Sequence, residues 1–307
     1  MIKFDAVSQT DSLLRAISAI VIAALALSLG DAVIKSISVS FPLWQLYVLR
    51  STIALPVLLV FIRTREPETR IFPLSPGWVA ARSLLLASMW LAYYAALPHL
   101  QLSVAAAAFY TLPLFITLFS SVFVGERVGT IGWLAICLGF VGVVVMLRPR
   151  AEGFNAYALL PMLAAILYAL AMILTRTKCQ KESPFVLSAA LNATFILFGA
   201  VVSVGLLIAD PSAAQVSANT FLLGGWVGIG AREVIALAVL AAAILIGSIC
   251  TAVAYQSAAS STVSTFDYSY LAFSVVWGLV FFAEIPDALT ILGIAMIAMA
   301  GITAVRK

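Results

Sequence analysis

The chain has 307 residues, 64% of them hydrophobic and 10% charged, with a formal net charge of +4 and a mean hydropathy of +1.13. A soluble domain is about half apolar and a quarter charged, so this composition excludes a water-soluble globular protein and makes lipid the solvent for most of the chain. The positive residues gather at the ends of apolar runs, which reads as an orientation signal and excludes nucleic acid as a partner. Cys137, Cys179 and Cys250 form no Cys-x-x-Cys pair, and His99 is the single histidine. No disulfide framework, metal site or cofactor site is expected.

Residues 1–12 form a short polar lead-in, expected to be a cytoplasmic tail. The first apolar run, about 13–37, is too long for a signal-peptide core and is expected to be the first spanning helix. Further runs follow at about 43–62, 77–97, 102–124, 129–147, 156–175, 185–208, 233–256, 261–283 and 287–304. Each approaches the roughly 20 residues a bilayer demands. They are continuous rather than alternating, which excludes an outer-membrane barrel. The expected fold is an all-α integral membrane protein of ten transmembrane helices. The longest connection, about 209–232, is expected to lie at the membrane surface with Trp226 among the headgroups.

Loop charge orients these helices. With the N-terminus in the cytoplasm, eleven Lys and Arg residues fall on the inner side and four (Lys35, Arg148, Arg150 and Arg232) on the outer side. Both termini are therefore expected inside, in a cytoplasmic (inner) membrane.

The halves echo each other. Ser103–Glu126 reads SVAAAAFYTLPLFITLFSSVFVGE and Ser261–Glu284 reads STVSTFDYSYLAFSVVWGLVFFAE. At a shift of 158 residues, Tyr110 meets Tyr268, Phe123 meets Phe281 and Glu126 meets Glu284. The chain divides accordingly into residues 13–150 and 151–307, five helices each. An odd number of helices inverts the second copy, an arrangement that places a transport site near the midplane.

The stretch LYVLRSTIA around Arg50, the run YYAALPHLQLSVAAAAFYTLPLFITLFSSVFVGERVG from Tyr93 to Gly129, and the second-half echo ending in Phe282-Ala283-Glu284-Ile285-Pro286 resemble the drug/metabolite transporter superfamily in its ten-helix EamA-type branch. The resemblance spans essentially the whole chain. It implies eight helices around a central cavity, with the fifth and tenth peripheral, and export or exchange of small organic metabolites. The second half departs from the first where Asn192 stands opposite Arg50 and Asp267 opposite Phe109.

Ionisable groups inside spans are costly and normally face a cavity or a partner. Asp31 and Arg50 lie at similar depth, so they read either as a structural salt bridge or as a substrate site in which Arg50 clamps a carboxylate. Asp31 and Asp267 are candidate proton carriers, with hydrogen bonding to Tyr255 or Gln256 as the plain alternative for Asp267. Trp90, Tyr94, Tyr110, Tyr268, Tyr270 and Trp277 are candidate cavity residues, able to grip flat or cationic solutes; ordinary packing is the alternative. Lys35 and Arg82 are expected to snorkel to the membrane surfaces, Trp44 and Trp78 to anchor there, and Glu126 and Glu284 to cap the helices that follow them.

A Walker-type phosphate loop is absent from the sequence, so ATP is not the direct energy source. The expected function is a secondary active or facilitative carrier of a small polar or amphipathic metabolite, amino-acid-like or similar. It would work by alternating access, coupled to protons or a counter-substrate or to neither, with export or exchange favoured over uptake. An intramembrane enzyme and a channel or lipid scramblase are the alternatives from other classes. The sequence offers no catalytic constellation for the first and no filter motif for the second.

Overall fold

The structure, a computed structural model, describes residues 2–125, 129–147 and 155–305. Glu126, Arg148 and Arg150 lie outside the described residues. Everything regular within them is helical: α1 (Ile2–Ile37), α2 (Leu43–Arg65), α3 (Pro76–Ala96), α4 (Leu102–Phe109), α5 (Leu112–Phe119), α6 (Thr130–Leu147), α7 (Leu159–Thr177), α8 (Pro184–Ala209), α9 (Ala213–Ala218), α10 (Thr220–Leu223), α11 (Ala231–Ser257), α12 (Ser260–Phe266), α13 (Ser269–Phe282) and α14 (Ala288–Val305). Eight stretches are long and apolar enough to cross a bilayer, and the apolar α6 and α14 complete the ten spans. The fourth span is α4 plus α5, and the ninth is α12 plus α13. α1 begins at Ile2, so the polar lead-in continues the first span as helix.

Lipid leaves a backbone no partner but itself, which dictates helices, and prolines mark where several begin. Pro42 precedes α2, while Pro76 and Pro184 open α3 and α8, at positions whose N–H has no intrahelical partner. Pro113, in the first turn of α5, has no N–H to give Phe109 and crowds its carbonyl, so the fourth span breaks there. The ninth span has no proline and breaks at the matching place. There the Ser269 hydroxyl donates to the Phe266 carbonyl (2.8 Å) and the Tyr110 hydroxyl to the Asp267 carbonyl (2.5 Å). Short polar side chains compete with the helix for such groups. The two half-spans also end alike. Gly125 (φ 76°) and Ala283 (φ 52°) are 158 residues apart and both left-handed; the alanine bears the steric cost that glycine avoids.

Packing follows the same exchange. α1 packs on α11 as α3 does on α7; α1 on α13 as α7 on α5; and α3 on α8 as α11 on α2. α2 with α8, and α6 with α14, pair across the exchange axis. At the α2–α8 crossing, a methyl on Gly199 would sit 2.8 Å from the Trp44 carbonyl oxygen; the absence of a side chain lets the helices approach this closely. Outward faces are apolar. On α8, Leu197, Val201, Leu207 and Ile208 are 60–80% exposed, a surface that suits hydrocarbon rather than water.

Candidate functional site

The two breaks meet in the centre of the bundle. Tyr110 and Tyr268, one at each break, pack ring against ring (centroids 5.5 Å apart). Beside them lies a chamber walled by Trp90, Tyr93, Phe109, Tyr110, Tyr168 and Tyr270, with Thr251 and Asp267 as its polar members. A second lobe shares Leu27, Met89, Trp90, Tyr168 and Thr251 with the first and is closed by Arg82. A third holds Arg50 and Tyr94. Leu27 touches all three. The voids are about 30, 20 and 10 Å³, room for a water or so, against the roughly 300–1,000 Å³ of metabolite pockets. The conformation is closed, and a solute enters only if the helices part.

Asp267 stands in the second break, buried, with the Tyr255 hydroxyl donating to its Oδ2 at 2.7 Å. Gln256 turns away and donates to the carbonyls of Cys179 (2.9 Å) and Glu182 (2.8 Å). Asp31 is set behind the chamber wall. Tyr270 donates to its Oδ2, and the Tyr93 hydroxyl lies 3.1 Å from that of Tyr270. With the Tyr270 proton committed to Asp31, Tyr93 is the donor in the second bond, so a hydroxyl chain runs Tyr93–Tyr270–Asp31. Oδ1 of Asp31 has no hydrogen-bond partner.

The Asp31–Arg50 salt bridge does not form. Arg50 stacks instead on Phe195 (4.6 Å to the ring centroid) and Tyr47 (5.5 Å), and its Nε and Nη2 are buried without partners. Cation–π contact offsets part of a guanidinium's desolvation but satisfies none of its N–H groups. Arg82, expected to snorkel, is 1% exposed. Its Nε donates to the Thr175 hydroxyl at 2.6 Å and its Nη1 has no partner.

Other expected site residues fall elsewhere. Trp90, Tyr110, Asp267 and Tyr270 line the central chamber, and Tyr94 lines the Arg50 lobe. Tyr268 turns from the cavity toward Gly139 of α6. Trp277 donates to the Ser28 hydroxyl at 3.1 Å in the α1–α13 contact. The residues missed were Tyr93, Tyr168, Thr251 and Arg82. Helical spacing from Trp90 would have nominated Tyr93, but no local signal marked the others.

The helix ends carry fastenings. Lys35 does not snorkel; it pairs with Glu284, donates to the Leu100 carbonyl (2.9 Å) and lies over Phe282. Glu284 also accepts from the Leu102 N–H at 3.0 Å, capping α4 across space rather than the helix that follows it. At the opposite helix ends, Glu182 accepts from the N–H groups of Leu74 (3.0 Å) and Ser75 (2.7 Å) ahead of α3. Trp44 is no surface anchor: it is 7% exposed and donates to the Leu222 carbonyl at 2.7 Å.

Known proteins similar to this chain bear on its fold and class. Residues 14–148 match the model of the EamA-like transporter family. A riboflavin transporter of Rhizobium johnstonii is 30% identical over 71% of this chain, which spans 65% of that relative's length. A pseudopaline exporter of Pseudomonas aeruginosa is 25% identical over 93% of this chain and 94% of its own. A crystal structure at 20% identity superimposes with a TM-score of 0.69 over 96% of both chains, which shows the fold. The chain is a multi-pass membrane protein that resembles the EamA-like transporters of the drug/metabolite transporter superfamily, in its first half through the family model and over nearly its whole length through the exporter relative.

Proposed function

We propose that the protein is a secondary carrier that moves a small amphipathic metabolite, with a flat apolar body and charged ends, across the cytoplasmic membrane by alternating access. The observation that carries this reading is the chamber at the meeting of two broken helices, walled by aromatic rings and holding Asp267. Discontinuous helices meeting near the midplane are the usual frame of a carrier site. Aromatic faces grip flat or cationic groups, and a carboxyl inside the bundle serves as a proton or cation station. The exchanged packing of the halves suits a carrier in which two bodies rock about the chamber. Export or exchange is the preferred direction, supported by the exporter relative aligned over nearly its whole length. The eleven-to-four distribution of positive residues supports cytoplasmic termini.

Counterflow into proteoliposomes tests the carrier reading. Vesicles preloaded with a candidate solute (riboflavin or an aromatic amino acid) are expected to accelerate entry of the labelled solute with saturable kinetics. Flux that rises linearly with concentration and gains nothing from preloading would identify a channel.

A further inference from the structure

We infer that the lobe closed by Arg82 is a binding site for an anionic group of the transported solute, a carboxylate or phosphate. The inference rests on the carrier reading and adds the charge of one end of the substrate. Three observations converge. Arg82 is 1% exposed and has no ion-pair partner, and its Nη1 makes no hydrogen bond. A guanidinium left so is expensive unless something supplies an acceptor. Its orientation is also fixed. The Thr175 hydroxyl spends its proton on the Ala171 carbonyl (2.8 Å) and accepts from Arg82 Nε (2.6 Å), which leaves the fork of the guanidinium to the lobe it lines. Thr251 lies on the same lobe, with a buried hydroxyl oxygen that makes no hydrogen bond. An oxyanion would satisfy both, because guanidinium and hydroxyl both donate to it.

The lobe shares Trp90 and Tyr168 with the central chamber, whose lining includes Asp267. A solute that reaches from the lobe into the chamber along these rings meets both Arg82 and Asp267, which suits a zwitterion with a flat body. Arg50 stacks on Phe195 and Tyr47 and lines a lobe of its own with Tyr94. Arg82 is enclosed by helices and 1% exposed, so it does not face the lipid, and the anion it awaits is assigned to a solute.

The test is equilibrium binding to purified protein in nanodiscs, read by thermal shift and titration. The probes are matched sets: indole-3-propionate with its amide, tryptophan with tryptophanamide, and riboflavin 5′-phosphate with riboflavin. In wild type the anionic member of at least one set is expected to bind about tenfold tighter than its neutral-ended partner. Arg82→Gln removes that preference. Arg82→Lys keeps the charge without the fork and retains part of it, and Thr175→Val weakens it. Arg82→Lys and Thr175→Val keep the test decisive should Arg82→Gln fail to fold. Amide partners that bind as tightly as the acids, no binding by any anion, or a wild-type preference in the Arg82 variants would overturn the assignment. The two readings separate cleanly: anion-selective binding without counterflow sinks the carrier and spares the site, while counterflow without anion preference does the reverse.

Discussion

Asp267 replaces the Phe109 of the other repeat at the second break, so one chamber wall carries a carboxyl where its counterpart carries a ring. Its Oδ2 takes the Tyr255 proton at 2.7 Å, and the Tyr110 hydroxyl closes the adjacent carbonyl. This holds the side chain still without neutralising it, as a group that exchanges a proton or a cation with the chamber requires. Asp267→Asn keeps the acceptor for Tyr255 and loses the exchangeable proton. In proteoliposomes it is expected to abolish the response of flux to an imposed pH gradient, by tenfold or more, while exchange at equal pH continues. A variant whose pH response matches wild type would move the proton role to Asp31, reached through Tyr93 and Tyr270. Depth was legible for these residues because it follows from position along an apolar run. Rotation was not. With lipid on one face and packed helix on the other, both sides of a span are apolar, so the sequence could not tell Tyr270 (in the cavity) from Tyr268 (turned to α6), nor show that Arg82 points inward.

The spans themselves were readable because the bilayer fixes both their length and their composition. The breaks were readable only in part. Pro113 announces the first, since a proline forfeits the bond to Phe109. Nothing comparable announces the second, which is held by Ser269 and by Tyr110 reaching over from the other repeat. A local reading of the sequence cannot see a hydrogen bond made across 157 residues. If the fourth span must flex at its break, Pro113→Ala restores the missing N–H and stiffens it. The expected result is unchanged or raised thermal stability with turnover reduced about tenfold. Wild-type turnover in a stable Pro113→Ala protein would show that the break positions side chains without working as a hinge.

Across the whole molecule, the voids at the centre are too small for any solute and the two sets of helix ends are fastened differently. One set is held by Glu182 on backbone N–H groups, the other by Lys35 and Glu284 joining α1, the end of α13 and the start of α4. Loop charge predicts that the Lys35–Glu284 end is the outer one, and the pair is expected to act there as an outer gate. A charge-assisted hydrogen bond that is largely buried contributes about 1.5–3 kcal/mol, and each 1.4 kcal/mol is about tenfold in an equilibrium. Glu284→Gln keeps an acceptor for Leu102 and discards the ion pair. It should therefore raise the outward-open population about tenfold or more without unravelling α4. Ala243, in the Arg50 lobe, reports this. In a protein otherwise free of cysteine, Ala243→Cys should react about tenfold faster with a membrane-impermeant maleimide added outside once Glu284→Gln is present. An unchanged rate would mean that the pair merely staples the fold. Acceleration only from the cytoplasmic face would mean that the bundle sits the other way up, with this gate on the inside.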